Sequence, residues 1–262
     1  MKVGKPLILF LSILIVSLLV VLLSPYDACL VDTANRNLGF SLSHLLGTDS
    51  LGRDFLLRLS LGSLISTTLA LLTAFISLAL ALIIGLTASN NHYFDLLVLR
   101  LLDGIKAIPG FILALFFMSL NKGGYFNCLI ILVIISLPSF VYLVKQSADG
   151  VKGELFVEAE YSLGASKSYI MYHTIIPHIR EQLASQFAFV FSSSVLIEAS
   201  LSYLGVGIIP PLPSLGNLLM NGKEAIFNNP FQVIAPSFVL FIITLSIRKV
   251  GEYISFSSFN SN

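Results

Sequence analysis

Apolar residues gather into six long runs, approximately Leu7–Ser24, Leu64–Ala88, Leu96–Leu120, Tyr125–Val144, Leu183–Leu204 and Val233–Ile247. A helix needs roughly 17 to 25 apolar residues to cross the hydrocarbon of a bilayer, so the pattern predicts six transmembrane helices. Small residues recur within two of the runs: Ser66, Ala70 and Ala74, resumed by Ser77, Ala81 and Gly85, and again Ala184, Ala188 and Ser192. Helices in lipid associate where small residues let backbones approach, which marks the second and fifth runs as packed against other helices. Lys2 and Lys5 ahead of the first run imitate a signal peptide. That run exceeds the usual apolar core of about 7–15 residues, however, and Tyr26 and Asp27 make a poor cleavage site before Ala28 and Cys29. The first run is expected to remain as a helix. Leu51 to Leu59 carries apolar residues at 51, 55, 56 and 59, the spacing of a helix lying on the outer leaflet.

Composition agrees with a chain built for lipid. Of 262 residues, 56% are hydrophobic and 11% charged, against roughly a quarter charged in a soluble domain. The mean hydropathy is +0.90. A net charge of +1, with basic residues spread among loops, excludes a nucleic-acid-binding face. Cys29 and Cys128 have no metal-ligand spacing. If the helices alternate, Lys2, Lys5, Arg100, Lys145, Lys152, Lys167, Arg180, Arg248 and Lys249 share one side, and Arg36, Arg53, Arg58, Lys122 and Lys223 the other. Basic loops face the cytoplasm, so both termini are expected there. Asp103 and Lys106 fall toward the cytoplasmic end of the third run, where Lys106 can snorkel, and Glu198 falls toward the outer end of the fifth. Ion-coupled carriers bury ionisable groups near mid-membrane, and the scarcity of such groups here disfavours a self-contained carrier.

Catalytic patterns are missing. His44, His92, His173 and His178 are dispersed, with neither an H-E-x-x-H nor a G-x-S-x-G pattern, so no enzyme activity is expected. Gly222 and Lys223 are followed by Glu224 and form no phosphate-binding loop. If ATP drives this protein, another chain binds it. What stands out is a polar segment, Glu154 to Arg180, between apolar runs. Glu154 to Leu163 suits a short helix with Leu155, Ala159 and Leu163 on one face, ended by Gly164. Ser166 or Ser168 suits the cap of a second helix, and Pro177 marks the return to the membrane.

At these residues the chain resembles the permease subunits of binding-protein-dependent ABC importers, whose signature is Glu-Ala-Ala, three residues, Gly, nine residues, then Ile-x-Leu-Pro. Glu158, Ala159, Gly164, Ile176 and Pro177 occupy that frame, with Glu160 at the second alanine, Thr174 at the isoleucine and Ile176 at the leucine. Glu160 places a carboxylate where the family usually presents a methyl. The segment Leu46 to Asp54 (LGTDSLGRD) and the segment Glu198 to Gly207 (EASLSYLGVG), continued by Pro210 to Gly216, are similar to motifs of the dipeptide, oligopeptide and nickel branch. Within that branch they match its shorter-looped second permease, with Leu215 where tryptophan is common.

The resemblance implies a type I ABC importer permease in the bacterial cytoplasmic membrane. It also implies alternating access driven by partner subunits. The chain would divide into an N-terminal helix and outer elbow at 1–62, a permease core at 63–252 with a coupling hairpin at 145–182, and a tail at 253–262. Glu158, Ala159, Gly164, Ala165, Ile176 and Pro177 would couple the membrane helices to an ATPase. Implied partners are a second, different permease, two ABC ATPase subunits that bind the ATP, and an extracytoplasmic solute-binding protein. This chain would hold no cofactor of its own. Peptide, the commonest cargo of that branch, is the expected solute over nickel or another small solute, and no Cys, His or Met cluster suits a metal.

Overall fold

The computed structural model describes residues 4–227 and 229–259. In chain order the elements are α1 (Gly4–Leu23), a 3-10 turn at Thr33–Asn35, α2 (Phe55–Asn90), α3 (His92–Lys106), α4 (Gly110–Leu120), α5 (Tyr125–Lys152) and α6 (Leu155–Ser162). There follow α7 (Lys167–Ile170), a π-helical turn at Met171–Ile175, α8 (Ile176–Tyr203), α9 (Leu215–Gly222), a 3-10 turn at Lys223–Ala225 and α10 (Phe231–Phe259). Among the described residues five helical stretches are long and apolar enough to cross a membrane, and six when α3 and α4 count as one bent span. This is the all-α, six-span architecture expected from the sequence, with one span broken.

Helix α2 is the spine. Its 36 residues rise about 54 Å at 1.5 Å each, well beyond a hydrocarbon core of about 30 Å. Asp54 starts it by accepting a hydrogen bond from the Leu57 N–H at 2.8 Å, a cap that satisfies one of the orphan donors of the first turn. Asn91 ends it and caps α3, its side-chain oxygen accepting from the N–H groups of Tyr93 and Phe94. Ser66, Ala70, Ala74, Ser77 and Ala81 are all fully buried, and α5 is the helix most extensively packed on α2. A Cβ added to Gly85 would lie 2.8 Å from Val144 Cγ1, so close approach of α2 and α5 requires a glycine there. Helix α8 meets α10 in the same manner: a Cβ on Gly251 would lie 2.7 Å from the Ala188 Cβ.

The third span departs from the straight helix expected over Leu96–Leu120, bending by 81° between α3 and α4. Proline cannot donate to the helical ladder and disfavours helical geometry in the residue before it. Pro109 breaks the run, and its carbonyl restarts the helix by accepting from Ile112 at 2.9 Å and Leu113 at 3.1 Å. The polar side of α3 is tied to α5. Tyr142 donates its hydroxyl to Asp103, Lys145 bridges Asp95 at 3.4 Å and Asp149 at 2.9 Å, and the Lys106 ammonium sits 4.2 Å above the Tyr142 ring. Lys106 therefore stacks on an aromatic face, where the sequence alone suggested a snorkelling cation.

A separate outer-leaflet helix over Leu51–Leu59 is absent among the described residues. Residues 46–54 instead fold as a tight loop, and Phe55, Leu57, Arg58 and Leu59 are buried in the first turns of α2. The reason is electrostatic. Asp49 accepts from Arg53 Nε at 2.8 Å and lies 3.4 Å from Arg58 Nε, so the carboxylate holds the loop against the first turn of α2, and leaving either buried guanidinium without it would be costly. At the other end of the chain α10 continues as a helix to Phe259, and residues 260–262 of the expected tail lie outside the described residues.

Candidate functional site

The hairpin begins where α5 leaves the bundle. Lys152 Nζ donates to the Ser89 carbonyl (2.8 Å), the Ser89 hydroxyl (2.6 Å) and Asn90 Oδ1 (2.7 Å), binding the end of α5 to the end of α2. Helix α6 then runs Leu155–Ser162 and stops at Gly164, whose φ of 87° favours glycine. The Ala165 N–H reaches the Glu160 carbonyl at 3.1 Å and the Gly164 N–H reaches the Tyr161 carbonyl at 3.0 Å, a paired closure that satisfies the last carbonyls of the helix. Nothing lies within 4 Å of a Cβ built on Gly164, so backbone conformation alone demands glycine there. Ser166 caps α7 by accepting from the Tyr169 N–H at 3.2 Å.

The hairpin has a buried root and an exposed tip. Val157, Ile170, Met171, Ile175 and Ile179 are buried in the main core, with Ala165 and Ile176 packed against it. Glu158, Ala159 and Gly164 are exposed. Leu155 and Leu163 are 81% and 88% exposed, so the apolar face expected on α6 points away from the bundle. Exposed apolar residues rimmed by polar ones mark a surface suited to interaction with a partner or a membrane. The two polar departures from the signature, Glu160 and Thr174, turn out to be partners: the Thr174 hydroxyl is 2.8 Å from one Glu160 carboxylate oxygen and 3.1 Å from the other. The carboxylate thus crosses between the arms of the hairpin.

Pro177 does not divide a short second helix from the membrane; α7, the π turn and α8 form one stretch over Lys167–Tyr203. Pro177 lies in the first turn of α8, and the wider register of the adjoining π turn absorbs the hydrogen bond that proline cannot donate. Helix α7 is therefore continuous with α8.

The opposite face is held by buried polar groups. Glu198 on α8 is fully buried and accepts from Ser66 Oγ on α2 and Ser202 Oγ, each at 2.7 Å. Those hydroxyls in turn accept the N–H groups of Leu215 (3.2 Å) and Ile208 (2.9 Å) from the loop after α8. Ser214 and Asn217 form a reciprocal cap on α9, and a Cβ on Gly216 would lie 2.2 Å from the Ala199 carbonyl. Arg58 donates to the Ala28 carbonyl at 2.6 Å, and Gln232 on α10 donates to the Thr48 carbonyl at 3.0 Å. The segment from Glu198 to Gly216 thus forms a polar lock joining α2, α8 and α9, and the Leu46–Asp54 segment is tied to α2 and α10.

Residues 77–255 match the family described as binding-protein-dependent transport system inner membrane component. The chain belongs to that family. The glutathione transport system permease protein GsiD of Pectobacterium atrosepticum is 30% identical over 88% of this chain and 77% of its own length. Its counterpart from Escherichia coli O6:K15:H31 is 31% identical over the same shares. A chain of the MetNI methionine ABC transporter, solved in inward-facing conformations, superposes with a TM-score of 0.62 at 16% identity, over 75% of this chain and 94% of that one. This permease thus has the type I ABC importer fold and is a multi-pass component of the inner membrane. The family recognised from Glu158, Ala159, Gly164, Ile176 and Pro177 is confirmed, and so is the peptide-type branch read from the Leu46–Asp54 and Glu198–Gly216 segments.

Sequence reasoning did not find the central place of Glu198 in this permease, although a lone carboxylate in an apolar run is itself a signal. It also placed Arg58 on a helix lying at the outer surface, whereas the side chain is 1% exposed. Arg58 follows the Asp54 cap by one turn, and a basic residue so close after a cap already lies inside the helix.

Proposed function

We propose that this permease forms half of the translocation pathway of an ATP-driven importer for peptides and is coupled to its motor through the 154–180 hairpin. The observation that carries the reading is the hairpin's division into an exposed tip and a root continuous with α8. Glu158, Ala159 and Gly164 present the tip to an ATPase; Ala165, Ile176 and Pro177 anchor the arm that transmits its movement. ATP is bound by two ATPase subunits and not by this chain, which is non-catalytic. A second, different permease completes the pathway, and an extracytoplasmic solute-binding protein delivers the solute. Both termini and the hairpin face the cytoplasm, in keeping with the basic residues on that side. Peptide as the solute is supported by relatives named for glutathione, itself a small peptide.

Affinity purification of the detergent-solubilised complex, with identification of copurifying chains, tests the coupling role. Wild-type protein is expected to bring down a P-loop ATPase and a second permease. Glu158→Lys and Gly164→Pro should lose the ATPase while still inserting and retaining the second permease. Recovery of the ATPase at wild-type levels with both variants would remove the hairpin from the coupling role.

A further inference from the structure

Helices α1, α2, α8 and α10 leave a cleft of about 540 Å³ between them. Its walls are mainly apolar, led by Phe10, Phe75, Phe187 and Phe191, and the polar side chains on it are Thr67 and Arg180. Along α2 the lining runs from Thr67 to Leu78, and along α8 from Arg180 to Phe191. Eleven residues of helix rise about 16 Å, and one leaflet of a hydrocarbon core about 30 Å thick is about 15 Å deep. The cleft therefore has the depth of a single leaflet. Such walls do not hold ordered water, and they would strip a charged peptide of its hydration without replacing it.

Arg180 stands at the hairpin-side mouth. Its side chain is exposed and, among the described residues, makes no hydrogen bond or ion pair. Lys5 at the start of α1 and Lys249 near the end of α10 lie toward the same membrane side, and Arg180 is the charged side chain that lines the cleft itself. Arginine pairs with phosphate through charge-assisted, often bidentate hydrogen bonds, and a long basic side chain near a helix end reaches the headgroup level while its stem stays on apolar surface. Anionic phospholipids gather where such residues meet the bilayer. We infer that the cleft binds one acyl chain of an anionic phospholipid, with the lipid phosphate held by Arg180. The site is separate from the hairpin tip and from the Glu198 lock, and it does not depend on which solute is carried.

The intact transporter complex, equilibrated in nanodiscs of phosphatidylglycerol and phosphatidylethanolamine in equal amounts, is released into detergent, and its retained lipid is measured by native mass spectrometry. Phosphatidylglycerol should be enriched on wild type. Arg180→Ala should lower its retention about fivefold, the effect of one basic side chain near an anionic surface, and Arg180→Lys should keep most of it. Ala184→Phe, which fills the cleft, should reduce retention of both lipids, whereas Thr67→Val should change neither because an acyl tail makes no hydrogen bond. Arg180 is exposed, so its variants remain decisive if Ala184→Phe fails to assemble. Equal retention of the two lipids by wild type, or no change with Arg180→Ala, overturns the inference. Loss of binding with Thr67→Val alone would show a polar ligand, and a crosslink from Ala184→Cys to the second permease would show a subunit interface; either also overturns it.

Discussion

At the scale of single residues, the hairpin shows how two departures from a signature compensate each other. Glu160 and Thr174 are fourteen positions apart yet hydrogen-bonded, so each replaces an apolar contact of the usual pattern with half of a polar one. Glu160→Ala leaves the Thr174 hydroxyl without its partner, and Thr174→Ile leaves a half-buried carboxylate beside a methyl group. Each single variant should lower the thermal stability of the purified complex, while the double variant, which restores the usual residues, should recover most of the loss. The coupling expected from a double-mutant cycle is about 1 kcal/mol. Strictly additive single effects would show that the bond contributes nothing. The sequence exposed both departures but not their pairing, because side-chain partners across a hairpin depend on the turn at Gly164 and on the register that turn sets.

At the scale of elements, legibility followed how local the cause was. The small-residue stripe of α2 was readable because a four-residue spacing places those positions on one helical face, and all of it proved buried. The cap at Ser166 and the stop at Gly164 were readable for the same reason. Leu51–Leu59 misled because its apolar spacing suits a helix on lipid as well as the opening of a buried one; the choice was made by Asp49, Arg53 and Arg58, whose mutual contacts the periodicity does not contain. The third span misled because hydropathy averages across Pro109. That residue makes the bend, and it yields a prediction. Spin labels at His92 and Leu120 bracket a run that would span about 42 Å if straight. With the observed 81° bend, legs of about 21 and 15 Å give about 28 Å between ends. Pulsed electron paramagnetic resonance should find the shorter distance in wild type and a shift toward the longer one in Pro109→Ala. An unchanged distance would place the cause of the bend in the ties from α3 to Tyr142 and Lys145.

At the scale of the whole molecule, polar chemistry is sorted by membrane face, and the sorting predicts orientation. On the hairpin side, Lys145 and Lys152 bind α5 to α3 and α2 through carboxylate, hydroxyl and carbonyl partners, while Lys167 and Arg180 stay exposed. On the far side, Arg53 and Arg58 are buried against Asp49 and present no side chain to a membrane surface. Removing these two from the far side's tally makes the asymmetry of basic residues stronger than the bare sequence suggested. The hairpin should therefore face the cytoplasm. Leu163 on the hairpin is 88% exposed and Leu42 on the far side 99% exposed, which suits both to cysteine labelling in a background with Cys29 and Cys128 replaced. A membrane-impermeant maleimide should label Leu42→Cys in intact spheroplasts, and Leu163→Cys only after permeabilisation. The reverse pattern would turn the permease over in the membrane and put the exposed tip of the hairpin out of reach of any cytoplasmic ATPase, ending the coupling proposal along with the orientation.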